Sequence, residues 1–274
     1  MKVAIIGCGY VGKAIADYWR HELGFFVTAT TTKSENVSTL EDYAQRVVVV
    51  KGNDPAGLQS VLQDQETVLL SVGAKNAHVY EEAYLHTAQT LVSVLPQAPT
   101  VRQLIYTGSY TVYGDRDGAW VDESSPIAPA NENGQILART EDVLLSASSE
   151  HVHVCILRLG GIYGPGRELV KIFSRVAGTT RPGNGSDATN WIHLDDIVGV
   201  IDFARSNRLQ GIYNLVDDAH LTSRELIDQV CEKHHLPKVV WDASTKSVRP
   251  QNARVRNQKI KNAGYQLIHP QMLV

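Results

Sequence analysis

No apolar run in the 274 residues is long enough to cross a bilayer, since a spanning helix needs about 20 consecutive apolar residues. The opening MKVAIIGCGYVG has a short apolar run broken at once by glycines, with no small-residue cleavage site, so no secretory leader is expected. Cysteine is scarce. Cys8, Cys155 and Cys231 are far apart and odd in number, which excludes a fully paired disulfide framework and fits reduced thiols in a cytoplasm. Neither sign of charge dominates: a net charge of −3 gives no basic surface for nucleic acid and no polybasic patch for a membrane. Internal repeats and low-complexity segments are missing too. With 43% hydrophobic and 20% charged residues, the expectation is a globular cytoplasmic protein, long enough for one large domain or two small ones.

What is present is a rhythm of apolar strands and helical segments. KVAII at 2–6, FFVTAT at 25–30, VVVV at 47–50, TVLLSV at 67–72, VRQLIY at 101–106 and VHVCIL at 152–157 read as strands. Helical character lies between them, at Gly12–His21, Leu58–Gln63, Tyr80–Leu95 and Ala138–Ser149. Near-continuous apolar strands alternating with helices predict a parallel sheet covered on both faces, the Rossmann-type doubly wound α/β architecture. After about residue 160 the rhythm gives way to GGIYGPGR and GTTRPGNGSDATN. The expected organisation is a dinucleotide-binding domain over 1–160, with 192–216 returning to it through a helix at Asp195–Ser206 and a strand at Ile212–Val216. A small C-terminal capping lobe takes 161–191 and 217–274, with a helix near Ser223–His234.

GCGYVG at 7–12 matches G-x-G-x-x-G after a predicted strand and at the start of a predicted helix, the context this fingerprint requires. Gly7 permits the tight turn, Gly9 lets backbone approach a pyrophosphate, and Gly12 lets helix and strand pack closely. Cys8, Tyr10 and Val11 complete the loop, and the helix start favours phosphate. About 20 residues on, an NAD site carries an acid for the ribose 2′-hydroxyl. TATTTKSEN stands here instead, with no carboxylate before Glu35. The hydroxyls of Thr30, Thr31 and Thr32 with the cation of Lys33 suit a 2′-phosphate, so NADP is favoured and NAD is the alternative.

YTGSYTVYGD at 106–115 resembles the active-site strand and loop of the extended short-chain dehydrogenase/reductases, which include nucleotide-sugar epimerases, dehydratases and reductases. VDESSPIAP at 121–129, LRLGGIYGPGR at 157–167, WIHLDDIVG at 191–199, GIYNLVDD at 211–218 and QKIKNAGYQLIHP at 258–270 are similar to later segments of that family, in the same order. Two features depart from it. The extended branch usually has G-x-x-G-x-x-G, whereas this loop is of the atypical type. The family's catalytic Tyr-x-x-x-Lys is also missing. With Glu141-x-x-Leu144 matched to the glutamate and leucine that usually follow, Asn133 falls at the tyrosine and Leu137 at the lysine. Gly134 fits the glycine after the tyrosine. Arg139, two residues beyond, should face elsewhere on a helix.

The resemblance implies that the absent tyrosine would be the proton carrier and the absent lysine its helper. Ser109 falls at the serine that hydrogen-bonds the carbonyl, and Asn133 can polarise an oxygen but not deliver a proton. Tyr113, or Tyr110, is the candidate substitute donor; the alternative is that Tyr113 only packs. The resemblance also places Asn53 near the adenine, Ser71, Val72 and Gly73 by the pyrophosphate and ribose, Thr107 at the end of the fifth strand, and Gly160, Gly161 and Ile162 beside the nicotinamide.

Other chemistry-bearing residues are weaker candidates. His151 and His153 share a strand face without a third ligand, so no metal site is expected. His193, Asp195 and Asp196 are expected to fix a helix start, with Asp195 as N-cap. Arg181 and Asn184 are candidates for an anionic substrate group, and Cys8 for redox sensitivity. Two readings follow. One is an NAD(P)-dependent oxidoreductase or epimerase acting on a sugar-like or nucleotide-linked carbonyl or alcohol. The other is a catalytically inactive NADP(H)-binding sensor or regulator. The expected partners are a small-molecule substrate, neither nucleic acid nor membrane, and possibly a second copy through helices near 80–95 and 135–149.

Overall fold

Strand β1 (Lys2–Ile6) is buried from Val3 onward on both faces, and that burial is why its sequence is apolar without alternation. It pairs in parallel with β2 (Phe26–Thr31) on one side and β4 (Thr67–Leu70) on the other. Strand β3 (Arg46–Val49) lies outside β2, and β5 (Gln103–Ser109) lies beyond β4. Strands His153–Leu159 and Gly211–Leu215 follow, giving seven strands in the order Gly211–Leu215, His153–Leu159, β5, β4, β1, β2, β3. The direction of winding reverses between β1 and β4. Ligands in such sheets bind at this reversal, outside the carboxyl ends of the strands. The Rossmann-type doubly wound fold expected from the sequence is therefore present.

The structure, a computed structural model, describes residues 1–74 and 79–274. Two units divide the chain. The first comprises Met1–Ser109, Glu132–Arg158 and Val198–Tyr213; the second comprises Tyr110–Asn131, Leu159–Ile197 and Asn214–Val274. In the first unit, helices α1 (Tyr10–Asp17), α2 (Val37–Leu40), α3 (Pro55–Leu62), α4 (Thr87–Val94) and α5 (Glu132–Leu145) accompany the sheet. Asp54 accepts from Gly57 N–H at 3.0 Å, and Pro55 occupies the first helical position, a start signal that sets α3 three residues earlier than its apolar pattern suggested. Leu58, Leu62, Leu91, Leu104, Tyr106 and Leu144 form one buried cluster with strand residues Val68, Leu70 and Val154. Trp19 is fully buried and donates its indole N–H to Asp202 at 3.0 Å.

Helix α5 begins at Glu132, where the stretch ENGQILARTED reads as a helix start, and it ends at Leu145, short of the expected Ser149. There the SASS segment turns through short backbone bonds and Ser149 Oγ accepts from Val152 N–H. Serines compete with helix in this way. Gly134, Ile136, Leu137, Ala138, Thr140, Glu141 and Leu144 are buried. Glu141 is the unusual member. Its carboxylate accepts from Arg158 Nε at 3.1 Å and from Nη2 at 2.7 Å, both side chains under 5% exposed. Loss of water raises the Glu141 pKa, and the guanidinium opposes that rise. The fork geometry satisfies both groups at once.

In the second unit, short parallel pairs join Gly161–Tyr163 to Trp191–His193, Thr180–Pro182 to Val240–Asp242, and Asp115–Val121 to Asn252–Val255. Among the described residues its α-helices are α6 (Leu169–Phe173), the first turn of α7 (Leu194–Ser206), α8 (Ser223–Lys233) and α9 (Gln258–Asn262). Thr222 and Glu225 form a reciprocal capping box at α8, which fixes that helix start close to where the sequence placed it. Tyr163, Leu169, Leu226, Val230 and Met272 form one of its cores. Among the described residues, no helix is long and apolar enough to cross a membrane.

Breaking a buried pair leaves an uncompensated charge. Glu141→Gln should lower unfolding stability by about 3–5 kcal/mol, whereas Glu141→Leu with Arg158→Met should recover most of that loss. Urea unfolding of the three proteins measures both values.

Candidate functional site

At Gly7 the backbone turns with φ +87°, and a Cβ there would stand 2.7 Å from Ser71 O and 2.9 Å from Val72 Cα. Only glycine meets both demands. Gly7 N–H donates to Thr30 Oγ1 at 3.0 Å, and Cys8 N–H donates to Thr30 O at 3.0 Å. The ends of β1, β2 and β4 are thereby drawn together. Gly12 lies where a Cβ would come within 2.9 Å of Gly7 O, so α1 sits close on its strand.

Gly9 is different. It is the N-cap of α1, and among the described residues no side chain caps the helix and no atom lies within 4 Å of where a Cβ on Gly9 or on Gly73 would be. Both residues line a cleft of about 690 Å³, with Thr30–Lys33, Ser71 and Val72, Lys51 and Gly52, and Glu82 around it. A helix start without a side-chain cap, left open on the cleft at Gly9, fits a dinucleotide pyrophosphate.

The predicted cofactor residues divide. Gly7–Gly9, Thr30–Lys33 and Ser71–Gly73 meet on this cleft. Thr107 adjoins it, its hydroxyl donating to Ser71 Oγ at 3.1 Å. Asn53 is exposed beside Gly52 and donates to Glu82 Oε1 at 3.1 Å. Of the threonines, Thr30 is occupied by Gly7, and Thr31 Oγ1 accepts from Lys33 N–H and Asn36 Nδ2. Thr32 and Lys33 are exposed on the cleft. Lys33 Nζ lies 3.0 Å from Glu35 in an exposed pair of the kind that contributes about 0–1 kcal/mol. Gly160, Gly161 and Ile162 lie in the second unit, where a Cβ on Gly160 would stand 2.8 Å from Asn190 O. Cys8 is buried, and burial pushes its thiol up to about 12. It is neutral at physiological pH and poor in the thiolate that oxidation requires.

The residues expected for proton chemistry are also placed. Ser109 ends β5, half-buried. Helix α5 packs against β5, and a Cβ on Gly108 would stand 3.4 Å from Glu141 Oε1. One and two turns toward the N-terminus from Glu141 come Leu137, 3% exposed, and Asn133, half-buried. Arg139 faces elsewhere and pairs with Glu81 at 3.2 Å. Tyr113 is fully buried in the second unit, and its hydroxyl donates to Asn214 Oδ1 at 2.8 Å. Tyr110 is buried too, its hydroxyl accepting from Arg249 Nη2 at 3.5 Å.

The structure adds residues the sequence did not single out. Glu82 and Asn36 line the cleft, and no motif announces either. Tyr80 and Tyr84 stack with centroids 4.6 Å apart, and burial raises both hydroxyl pKa values above the ordinary range. Their i, i+4 spacing was the available signal. Asp195 is inside the first turn of α7 rather than its cap; the group that accepts its N–H, at 3.2 Å, is Nδ1 of His193. His234 closes α8. A second cleft of about 620 Å³, among Leu95, Val101, Arg102 and His151, lies at the amino ends of the strands, away from the phosphate-binding end.

The sequence profile of the NAD-dependent epimerase/dehydratase family matches residues 3–215. The chain belongs to that family. Its relatives in the family include Protein YeeZ of Escherichia coli K12, 33% identical over 226 residues, covering 80% of this chain and 78% of that one. The dTDP-6-deoxy-L-talose 4-dehydrogenase of Kitasatospora kifunensis is 25% identical over 214 residues, covering 70% and 67%. The dTDP-glucose 4,6-dehydratase of Bacillus anthracis, solved in complex with NAD, superposes with a TM-score of 0.81 at 18% identity over 98% of this chain and 92% of that one. At that identity the likeness concerns the fold.

The two loop glycines should separate. Gly9→Ala should keep the fold and bind dinucleotide at least about 10-fold more weakly, a loss of about 1.4 kcal/mol. Gly7→Ala should lose stability itself. Thermal melts and a fluorescence titration of each variant measure this contrast.

Proposed function

We propose that the chain binds NADP(H) in the cleft of its first unit and acts as an oxidoreductase or epimerase on a sugar-like or nucleotide-linked carbonyl or alcohol. The observation that carries the reading is Gly9, set on the cleft at a helix start with no side-chain cap and no neighbour where a Cβ would stand, among the described residues. The names of the relatives support the substrate class: two are enzymes of dTDP-linked sugars. The 2′-phosphate preference rests on Thr32 and Lys33, the exposed groups at the end of β2 where a carboxylate would suit NAD. A homodimer through α4 and α5 is consistent with this reading.

When bound, a nicotinamide supplies the hydride chemistry. The chain's own residues then bind, orient and polarise. Ser109 hydrogen-bonds the reacting oxygen, and the Asn133 amide adds a second donor. Leu137 offers no cation to either the substrate or the ribose. The Tyr113 hydroxyl is committed to Asn214 and serves the packing of its loop. The proton comes from solvent, and turnover is about 10²–10⁴-fold slower than a tyrosine-equipped relative would give.

Titration with NADPH, NADP+, NADH and NAD+ should show the phosphorylated forms binding about 10-fold or more tightly, a preference that Lys33→Ala removes while leaving NADH affinity unchanged. Equal affinity for all four would defeat the NADP assignment, and no binding would defeat the function. A panel of UDP- and dTDP-sugars, monitored at the reduced nicotinamide absorbance, should yield slow turnover. Tight binding of one redox form without turnover would favour a regulatory role.

A further inference from the structure

In the second unit His193 and Asp195, two residues apart, meet His269 from the tail, with one potential ligand atom from each within 4.8 Å of the others. His193 Nδ1 lies 3.3 Å from Asp195 Oδ2, and His269 Nε2 lies 2.9 Å from the same oxygen. The two imidazole rings are tilted 56° to one another with centroids 4.0 Å apart. Four-coordinate zinc with bonds of about 2.0–2.2 Å places neighbouring ligand atoms about 3.3 Å apart. Two of the three edges already have nearly that length. We propose that His193, Asp195 and His269 form a binding site for a divalent metal ion of the zinc type, with the fourth position open to water.

The surroundings suit the role. His193 is 6% exposed, and burial lowers its pKa, which favours the neutral, ligating form of imidazole. Asp195 is on the open side, its side chain 52% exposed, and His269 is 20% exposed, so an ion can reach the cluster. His269 is held from behind. Asp196, fully buried, accepts from Ile268 N–H at 2.6 Å and from His269 N–H at 2.9 Å, and Tyr265 O–H bonds the same carboxylate. That carboxylate fixes the backbone of the tail segment against the start of α7, which brings His269 to the cluster. Tyr163 packs edge-on against the His193 ring, centroids 5.0 Å apart. The cost is one helix-start hydrogen bond. A metal at His193 Nδ1 takes the lone pair that now accepts Asp195 N–H, and exposed Asp195 leaves that N–H to water.

Co²⁺ titration of the full chain, freed of metal with EDTA and exchanged into metal-free buffer, tests the site. One equivalent should bring up the visible bands of four-coordinate cobalt, and Zn²⁺ should bleach them stoichiometrically. His269→Gln and Asp195→Asn, both at accessible positions, should keep the circular dichroism and dinucleotide binding of the parent and lose at least about 100-fold in metal affinity. Absence of cobalt bands in the parent would overturn the proposal and leave the cluster a hydrogen-bonded helix start. So would cobalt binding that survives both substitutions.

Discussion

The buried pair of Glu141 and Arg158 fixes the helix on which this protein's chemistry turns. A carboxylate and a guanidinium, each almost wholly removed from water, are tolerated only when they meet in full register, and the fork at 2.7–3.1 Å achieves that. The pair ties α5 to the strand His153–Leu159 and sets Glu141 beside Gly108, next to Ser109. One and two turns back along the same face come Leu137 and Asn133. Leu137 is buried at a position where an ammonium would need partners.

The cofactor cleft depends on a separate set of constraints. Gly7 answers to the protein: its positive φ and its approach to Ser71 and Val72 weld β1 to β4. Gly9 lines the cleft at the start of α1. Thr30 binds the loop with both its hydroxyl and its carbonyl. The cleft lies at the ends of β1, β2 and β4, whereas Asn133 and Leu137 stand on α5.

The sheet was legible because burial on both faces writes itself as unbroken apolar runs, as in KVAII and VVVV. Helix ends were less so. The start of α5 at Glu132 could be read in ENGQILARTED, whereas its end is set by serines that turn the chain. Asp54 and Pro55 signal the start of α3 in the sequence, yet the apolar period alone drew the eye to Leu58. At the site, the glycine fingerprint could be read because sterics tie each position to a residue type. Glu82 and Asn36 could not, since they reach the cleft through loop and helix packing. The joining of His193 with His269 depends on a tail folding back over 76 positions, held by Asp196, and local sequence carries no trace of such a distant contact.

The most direct test of the account is a crystal structure of the NADPH complex. The account predicts the dinucleotide along the cleft with its pyrophosphate over Gly9 and its 2′-phosphate at Lys33. Ser109 Oγ and Asn133 Nδ2 would be the polar side-chain groups nearest nicotinamide C4, with no tyrosine hydroxyl within about 3 Å of the reacting position. A hydroxyl of Tyr110 or Tyr113 found at C4, or a dinucleotide bound away from Gly9, would contradict it.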